Sequence, residues 1–333
     1  MTQTVAVLGA GSWGTALAMQ LARMGHAVRL WARDAEQAEV MQVERVNRRY
    51  LPEFTLADNI TISASLESCL EGADRVLVVT PSHAFPETLV ALRPLVDPEI
   101  GLAWATKGFE PGSGRLLHEV AAEVFGSEMP LALVTGPSFA REVAQGLPTA
   151  VTVAASDPDF GETWAALLHG SGFRAYYTAD LVGAELGGAV KNVLAVACGM
   201  ADGLGLGLNT RAALITRGLA ETMRLGKAMQ ADPRTLMGLA GIGDLVLTCT
   251  GDLSRNRRLG LALGQGRTVD EAVAEIGQVV EGIKTAEETM RLAEKLGVDM
   301  PIAEQIHGIL FKGWSAKKGV RVLMERDLKR ETE

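Results

Sequence analysis

Short β-branched and apolar runs alternate with helical patterns through the first half of the chain. The strand-like runs are VAVL (5–8), VRLW (28–31), RVLVV (75–79), GLAWA (101–105), LALVT (131–135) and AVTVAA (150–155). Strands of a parallel sheet are buried on both faces, so they are apolar throughout and are separated by helical segments. The pattern therefore predicts β-α-β units that form a doubly wound parallel sheet.

Beyond Asp180 the strand signals largely stop and the periodicity is helical. A long Ala/Gly/Val-rich segment is followed by ITRGLAETMRLGKAM and by TVDEAVAEI, which begins with a capping-box pattern. Gly297 is placed to end TAEETMRLAEKLG, and Pro301 is placed to begin PIAEQIHGILFKG. We therefore expect two domains, an α/β domain over residues 1–180 and an all-α domain over residues 181–333.

Composition and charge narrow the functional class. A net charge of −8 argues against a broad face for nucleic acid or an anionic membrane, so any anion site must be a local basic cluster. The start MTQTVAVLGAG lacks the features of a signal peptide, and no uncharged apolar run is long enough for a membrane span. We expect a cytoplasmic protein without stable membrane insertion.

The cysteines and histidines give no sign of a metal site. Cys69, Cys198 and Cys249 are odd in number and widely spaced, which favours buried, reduced thiols over disulfides or zinc ligands. The five histidines show no metal-ligand spacing. We therefore predict no metal site in this protein.

A glycine-rich motif, GAGSWG (9–14), directly follows the first strand and opens the helical segment SWGTALAMQLARMG. Gly9 would permit the tight turn, Gly11 would let the backbone approach a pyrophosphate, and Gly14 would allow close helix packing. The helix N-terminus then offers N–H groups and a partial positive charge to phosphates. Strand, glycines and helix in this register predict a Rossmann-type dinucleotide-binding domain.

The end of the second strand bears on which cofactor is used. An acidic residue at this place would bond the adenosine ribose and repel a 2′-phosphate, whereas this chain has Ala32-Arg33 followed by Asp34. Arg33 can pair with the 2′-phosphate of NADP(H). Asp34 leaves NAD(H) open, and Arg33 as a solvated loop charge is the alternative interpretation.

Lys191 is the single charge in the apolar run LGGAVKNVLAVACGM (186–200). A lysine enclosed on a helix that is apolar all round cannot easily extend its ammonium to water, so burial without a polar partner is costly. Desolvation also lowers the pKa of a lysine and makes it usable in proton transfer near neutral pH. The pattern favours a catalytic role, and a structural ion pair is the alternative.

Several polar residues could accompany this lysine. Asn192 could bond a hydroxyl, and Asp244 in GIGDLVLTC could orient Lys191 or balance its charge. The run SRNRR (254–258) supplies three guanidinium groups, an amide and a hydroxyl, which together could clamp a phosphate, or could be a solvated basic loop. Lys107 and the segment TGPSFA (135–140) follow strands, at the edge where open α/β sheets bind ligands.

Six motifs in order carry a resemblance over essentially the whole chain. They are GAGSWGTALA, ATKGFE, LVTGPSFAREV, ELGGAVKNVLAVACGMADGLGLGLNTRAALITRGLAE, GLAGIGDLVLTCTGDLSRNRRLG and VVEGIKTA. The chain resembles the bacterial NAD(P)-dependent glycerol-3-phosphate dehydrogenases. The resemblance implies reversible reduction of dihydroxyacetone phosphate to sn-glycerol 3-phosphate with NADP(H) or NAD(H), which supplies phospholipid biosynthesis.

The resemblance also implies roles for individual residues. Lys191 would accept the proton in oxidation and donate it in reduction. The substrate-binding residues would be Lys107, Gly136, Ser138, Lys191, Asp244, Ser254, Arg255 and Asn256. The cofactor-binding residues would be Gly9, Gly11, Ser12, Trp13, Gly14, Arg33, Lys107, Ala140, Arg255, Val279 and Glu281.

Two other functions remain open at this point. A dehydrogenase of the same build that acts on a β-hydroxyacid or a ketopantoate-like substrate would need a carboxylate site, whereas the SRNRR cluster favours phosphate. A non-catalytic NADPH sensor would need the glycine loop but would have no use for Lys191, Asn192 and Asp244. We also expect a homodimer, on the general prevalence of two-fold dimers among oligomers.

Overall fold

A computed structural model of the chain describes residues 2–328 and 330–331, so the outermost ends of the two expected domains lie outside the described residues. The strands are β1 Thr4–Leu8, β2 Ala27–Trp31, β3 Val46–Asn47, β4 Leu51–Thr55, β5 Ile60–Ser63, β6 Arg75–Val78, β7 Leu102–Trp104, β8 Leu131–Thr135, β9 Thr149–Ala155 and β10 Phe173–Thr178. All six predicted strands are confirmed. The strands β3, β4, β5 and β10 are additions that the sequence pattern did not predict.

Helices form most of the remaining structure. They are α1 Ser12–Arg23, α2 Ala35–Glu44, α3 Leu66–Leu70, α4 Phe85–Leu92, α5 Leu117–Phe125, α6 Ala140–Gln145, α7 Pro158–Leu168, α8 Leu181–Gly203, α9 Gly207–Ala228, α10 Pro233–Leu236, α11 Asp244–Thr250, α12 Arg255–Gly264, α13 Val269–Ile276, α14 Glu281–Leu296, α15 Pro301–Phe311 and α16 Ala316–Met324. A π-helical turn, Leu239–Gly243, directly precedes α11.

The large sheet has eight strands in the order β10-β9-β8-β7-β6-β1-β2-β5. Neighbouring strands are parallel except β8 and β9, which pair antiparallel with Val134 opposite Val153. The expectation of an entirely parallel sheet is therefore wrong at β9. A buried apolar run has the same pattern whichever way the strand points, so the sequence could not decide its direction.

The chain divides into two compact units. The first unit comprises Met1–Gly188 and Ala231–Asp244, and the second comprises Ala189–Gln230 and Leu245–Glu333. Among the described residues, all the strands belong to the first unit, and the second consists of helices and their connections. The boundary expected after residue 180 stays a prediction.

Alternation along the central strand β1 explains the two faces of the sheet in the first unit. Val5 and Val7 belong to one buried cluster, which also includes Leu17 and Leu21 of α1. Ala6 and Leu8 lie on the opposite face, in a second buried cluster. Because successive side chains of a strand point to opposite faces, a strand covered on both sides must be apolar at every position. The doubly wound architecture is confirmed.

Several helix ends in the second unit follow their sequence signals. The Thr268 side chain accepts from Glu271 N, and the Glu271 carboxylate accepts from Thr268 N, which completes the predicted capping box at α13. Gly297 ends α14 in the left-handed conformation, and Pro301 occupies the first turn of α15. These local signals fix where the helices begin and end.

Helix α8 is the most enclosed helix of the protein. Every residue from Gly183 to Ala201 is buried. Of the described helices, this one is long and apolar enough to cross a membrane by itself. However, 94% of its most apolar 18-residue segment is buried inside the protein, as in the core helix of a soluble fold. Residues 233–250 and 255–264 form a bent pair of helical segments. This pair is long and apolar enough to cross a membrane only when the two segments are taken together.

A buried carboxyl group links two helices of the second unit. Glu221 on α9 accepts hydrogen bonds from the backbone N–H groups of Ile302, at 2.8 Å, and Ala303, at 3.3 Å, in the first turn of α15. Burial raises the pKa of Glu221 to about 7, although the two N–H groups and Arg224 favour the charged form. The folded state therefore binds a proton here more tightly than the unfolded chain.

Glu221 should make the stability of the protein depend on pH. Because its folded pKa lies above the ordinary value of 4.5, its contribution is complete below pH 4.5 and is lost as the pH rises toward 7. Glu221→Gln mimics the neutral acid, so the free energy of unfolding of the wild type relative to this variant should fall by roughly 3 kcal/mol between pH 4.5 and 8. Urea unfolding of both proteins across this range measures the difference. The exposed Glu294→Gln is the matched control, and equal slopes for both variants would contradict the assignment.

Candidate active site

The loop between β1 and α1 is built where backbones approach closely. Gly9 has φ +125°, and a Cβ there would lie 2.7 Å from the carbonyl oxygen of Val79. A Cβ on Gly14 would lie 1.9 Å from the carbonyl oxygen of Gly9. Any larger residue at either position would force the loop and α1 apart. Both glycines thus have the structural roles that the motif predicted for them.

The same loop has the features needed to hold a dinucleotide. A Cβ on Gly11 would meet no atom within 4 Å, so this side of the loop is open. Gly11 caps α1 without a side-chain hydrogen bond, which leaves the first-turn N–H groups of Ser12 and Trp13 for an anion. The buried Nε1 of Trp13 has no hydrogen-bond partner among the described residues. These groups fit a pyrophosphate.

Two further predicted cofactor residues belong to the first unit. Arg33 is exposed and lies two residues after the end of β2, while the next residue, Asp34, caps α2 by accepting from Gln37 N at 3.1 Å. Asp34 therefore has a structural task, and the Arg33 side chain extends to solvent. Ala140 is the first residue of α6, partly exposed.

Four of the predicted substrate-binding residues lie together in the first unit. The Nζ of Lys107, just after β7, donates to Asp244 Oδ2 at 2.6 Å and to the carbonyl oxygen of Gly136 at 3.2 Å. The Ser138 hydroxyl donates to the same carbonyl oxygen at 2.9 Å. Asp244 is only 1% exposed, so its charge is balanced by Lys107, a partner that the sequence pattern did not indicate.

A small pocket adjoins Lys107 in the first unit. Thr135, Glu185 and Gly188 are among its lining residues. The hydroxyl of Thr135 is buried and has no partner within the part of the chain that the structure describes. Burial raises the pKa of Glu185, whose carboxylate contacts Nδ1 of His118. The sequence pattern did not identify this carboxylate, and the only available signal was its place at the start of an apolar helix.

Lys191 is buried on α8, as predicted, with 8% of the residue exposed. Its Nζ donates to the hydroxyl of Thr248 on α11 at 3.0 Å. Thr248 is not among the residues predicted for the site, although it lies four residues after Asp244 and so on the same face of one helix. A hydroxyl can accept from an ammonium and can also donate, so Thr248 can orient the amine of Lys191.

Asn192, the next residue on α8, begins a chain of buried amides in the second unit. Its Oδ1 accepts from Nδ2 of Asn256 at 2.8 Å, and Oδ1 of Asn256 accepts from the backbone N–H of Gly282 at 2.9 Å. Asn192 Nδ2 is buried with no partner among the described residues. The chain fixes the orientation of both amides, which leaves one donor available.

Helices α8 and α12 meet backbone to backbone through glycines. A Cβ on Gly199 would lie 2.0 Å from the carbonyl oxygen of Arg257, and a Cβ on Gly260 would lie 2.0 Å from that of Val196. Gly203 and Gly264, one turn further along each helix, are similarly close to the opposite backbone. This packing sets the distance between α8, which carries Lys191, and the start of α12.

The SRNRR segment forms the start of α12, and its basic residues have different environments. Ser254 caps the helix by accepting from Arg257 N at 3.2 Å, and Arg255 and Arg258 are exposed. Arg257 is buried and pairs with Asp202 at 2.8 Å and Asp252 at 2.7 Å. The expectation that three guanidinium groups form the clamp is therefore wrong for Arg257, whose charge two carboxylates already balance.

The remaining predicted cofactor residues lie at the start of α14 in the second unit. Val279 is 48% exposed, and Glu281 is the first residue of the helix. The hydrogen bond from Gly282 N to Asn256 connects this helix start to the amide chain. Val279, Glu281 and the start of α12 are thus held in one region of the second unit.

The described residues contain no group of three or more His, Cys, Asp or Glu side chains that could hold a metal ion. Cys69, Cys198 and Cys249 are buried and free, which confirms the expectation of unlinked thiols. Burial raises the pKa of Cys69 to about 11, so this thiol stays protonated at neutral pH.

Family models match both halves of the chain. Residues 4–161 match the model for the NAD-dependent glycerol-3-phosphate dehydrogenase N-terminus, and residues 180–321 match that for the C-terminus. A glycerol-3-phosphate dehydrogenase (NAD(P)+) from Stenotrophomonas maltophilia is 61% identical over 327 residues, 98% of this chain and 96% of the relative. An enzyme of the same name from Xanthomonas campestris pv. campestris is 56% identical, covering 99% and 97% of the two chains.

A solved structure agrees with these sequence relatives. The crystal structure of glycerol-3-phosphate dehydrogenase from Coxiella burnetii superposes with a TM-score of 0.94 at 47% identity. The likeness covers 98% of this chain and 99% of that one. The similarity therefore includes both compact units.

Proposed function

The chain belongs to the family of NAD-dependent glycerol-3-phosphate dehydrogenases, and on that premise we propose that Lys191 is its general acid and base. The enzyme interconverts sn-glycerol 3-phosphate and dihydroxyacetone phosphate with NAD(P)(H). The observation that carries the proposal is the buried amine of Lys191 on α8, which donates to the hydroxyl of Thr248 on α11. Family membership favours this function over the carboxylate dehydrogenase and the NADPH sensor.

The proton and the hydride have separate sources in this mechanism. A bound nicotinamide cofactor supplies or accepts the hydride at C2 of the substrate. In reduction, Lys191 Nζ donates a proton to the oxygen at C2 as negative charge develops there, and in oxidation the neutral amine accepts it. Thr248 keeps the amine in place while its proton count changes. Without this transfer an alkoxide would be left in a site poor in water.

The phosphate of the substrate is assigned to Ser254, Arg255 and Asn256. They lie at the N-terminus of α12, where backbone N–H groups and the helix dipole favour an anion. The exposed guanidinium of Arg255 adds a charge-assisted contact, and Asn256 is oriented by Asn192 and Gly282. The polar remainder of the substrate is assigned to Lys107, Gly136, Ser138 and Asp244. The hydrogen bonds among these residues hold them in place before the substrate binds.

The cofactor is assigned to the glycine loop and its neighbours. Gly9, Gly11 and Gly14 shape the loop, and the N–H groups of Ser12 and Trp13 would bind the pyrophosphate. Arg33 would bind a 2′-phosphate through a charge-assisted contact. The carboxylate of the neighbouring Asp34 is already engaged, because it accepts from Gln37 N at the start of α2. Lys107, Ala140, Arg255, Val279 and Glu281 complete the set of cofactor-binding residues.

Three broader assignments accompany this activity. We propose that the enzyme supplies glycerol phosphate to phospholipid biosynthesis, that it resides in the cytoplasm, and that it is a homodimer. The cytoplasmic assignment is supported by the buried, free cysteines. The two-fold dimer has the support of its general prevalence among oligomers.

Lys191→Ala should abolish proton transfer while the cofactor still binds. We expect kcat to fall about a thousandfold or more, as for loss of a general acid, with the dissociation constant of NADPH nearly unchanged. Steady-state rates and NADPH fluorescence measure the two quantities. The exposed Lys227→Ala controls for loss of a lysine elsewhere in the second unit, and a near-normal kcat for Lys191→Ala would remove this residue from the mechanism.

Arg255→Ala should weaken recognition of the phosphate group. We expect the KM for dihydroxyacetone phosphate to rise roughly 30-fold, corresponding to about 2 kcal/mol for a charge-assisted contact. Rates with unphosphorylated dihydroxyacetone, poor at the outset, should change little, and ketopantoate should not be reduced. Arg258→Ala, three residues along the same helix and also exposed, is the matched control. An unchanged KM in Arg255→Ala would place the phosphate elsewhere.

Arg33→Ala should discriminate between the two cofactors. Loss of the 2′-phosphate contact should raise the KM for NADPH about tenfold and leave that for NADH within about twofold. Initial rates with each cofactor at saturating substrate measure the ratio, and the exposed Arg49→Ala is the control. Equal losses with both cofactors would show that Arg33 does not read the 2′-phosphate.

A further inference from the structure

The C-terminal part of the chain differs in charge from the rest of the protein. Residues 311–333 contain seven basic and four acidic side chains, a local charge of +3 in a chain whose formal net charge is −8. The remainder of the protein is therefore strongly acidic. Such a charge asymmetry is typical of a segment that binds an anionic partner.

Helix α16 presents the basic residues to solvent. Its buried residue, Gly319, lies against α15, where a Cβ would approach Ile309 Cδ1 at 3.3 Å. Lys317, Arg321 and Met324 follow one another at spacings of four and three residues, so they form one stripe, and all three are exposed. The inner side of α16 is thus occupied by α15, and the outer stripe is left to solvent.

The basic side chains of α16 have few ion-pair partners. Lys317 and Lys318 form no ion pair with any residue that the structure describes, and Arg321 reaches Glu325 only at 3.9 Å. Lys318 Nζ lies 4.8 Å from the centre of the Trp314 ring, and Lys312 Nζ lies 5.8 Å from it. Two cations therefore lie near one indole, which is only partly exposed.

Large apolar side chains are exposed in the same stretch of the sequence. Met324 is 80% exposed, Leu328 is fully exposed, and Phe311 at the end of α15 is 45% exposed. Nucleic acids are bound mainly through charge, hydrogen bonds and aromatic stacking, and aliphatic side chains such as methionine and leucine add little to that. At a bilayer surface, in contrast, apolar side chains enter the boundary between headgroups and acyl chains, and tryptophan and lysine favour the interface.

We propose that this terminal basic patch, formed by Trp314, Lys317, Lys318, Arg321, Met324 and Leu328, binds the surface of an anionic phospholipid bilayer. The cations face the lipid phosphates, and the apolar side chains enter the interface. Because the rest of the protein is acidic and is repelled by the same surface, the binding is weak, reversible and limited to one orientation. No segment of the chain crosses the bilayer in this arrangement.

The test is sedimentation of the purified full-length protein with large unilamellar vesicles. One set contains equal amounts of phosphatidylglycerol and phosphatidylcholine, and the other contains phosphatidylcholine alone. The wild type should bind the anionic vesicles at low salt at least tenfold more tightly than the neutral ones, and should be released by 0.5 M salt, since each basic residue contributes roughly fivefold. Absence of binding, or equal binding to both vesicles, would overturn the proposal.

Two sets of variants separate the patch from net charge. K317E/K318E/R321E should lose at least about tenfold in affinity for the anionic vesicles. R49E/R93E/R174E makes the same change in net charge at exposed sites of the first unit and should lose less than about threefold. Equal losses for the two triple variants would show a general charge effect and no specific patch.

A third variant tests the apolar contribution and distinguishes lipid from nucleic acid. M324S/L328S should weaken binding to anionic vesicles about fivefold or more and leave binding to polyuridylic acid unchanged. If the wild type binds the polynucleotide as tightly as the vesicles, and this variant binds both normally, the partner is a soluble polyanion and the lipid assignment is wrong. All variants should retain kcat within about twofold, which shows that they are folded and that the proposed function is unaffected.

Discussion

The burial of one ammonium group is the constraint on which the second unit depends. Lys191 lies on a helix whose residues are buried from Gly183 to Ala201, and an unsolvated cation there would cost several kcal/mol. The helix therefore needs polar partners delivered by other elements. Thr248 of α11 is one of them, and its hydroxyl accepts from the Lys191 amine at 3.0 Å. The proton transfer that we propose for Lys191 starts from this contact.

Close packing of helices makes this environment reproducible. The glycines of α8 and α12 let the two backbones approach within a distance that any side chain would prevent. The buried amides of Asn192 and Asn256 then meet, and the chain of hydrogen bonds continues to the start of α14. An error of about an ångström in this packing would separate groups whose function depends on distance. The many glycines of the chain thus serve geometry as much as flexibility.

The first unit follows the same rule with a different purpose. Gly9 and Gly14 allow the loop, the start of α1 and Val79 after β6 to approach one another closely. Gly11 leaves one side of the loop open. Lys107 and Asp244 illustrate how a buried carboxylate is accommodated, because the carboxylate has a cation at 2.6 Å. In both units, the buried charged groups described above have polar partners. Two backbone segments approach closely where glycine leaves no side chain between them.

The sequence by itself determined the element types, the glycine loop, the helix ends at Thr268, Gly297 and Pro301, and the anomaly of Lys191. These depend on local rules: alternation, capping, conformational freedom and the cost of burying charge. Only the tertiary structure decided the direction of β9, the presence of β3, β4, β5 and β10, the pairing of Lys107 with Asp244 and the contact of Thr248 with Lys191. It also showed that Asp202 and Asp252 balance the charge of Arg257. The physical reason is that hydrogen-bond and ion-pair partners lie far apart in the chain, and side-chain periodicity carries no information about which of several eligible partners will be brought within about 3 Å.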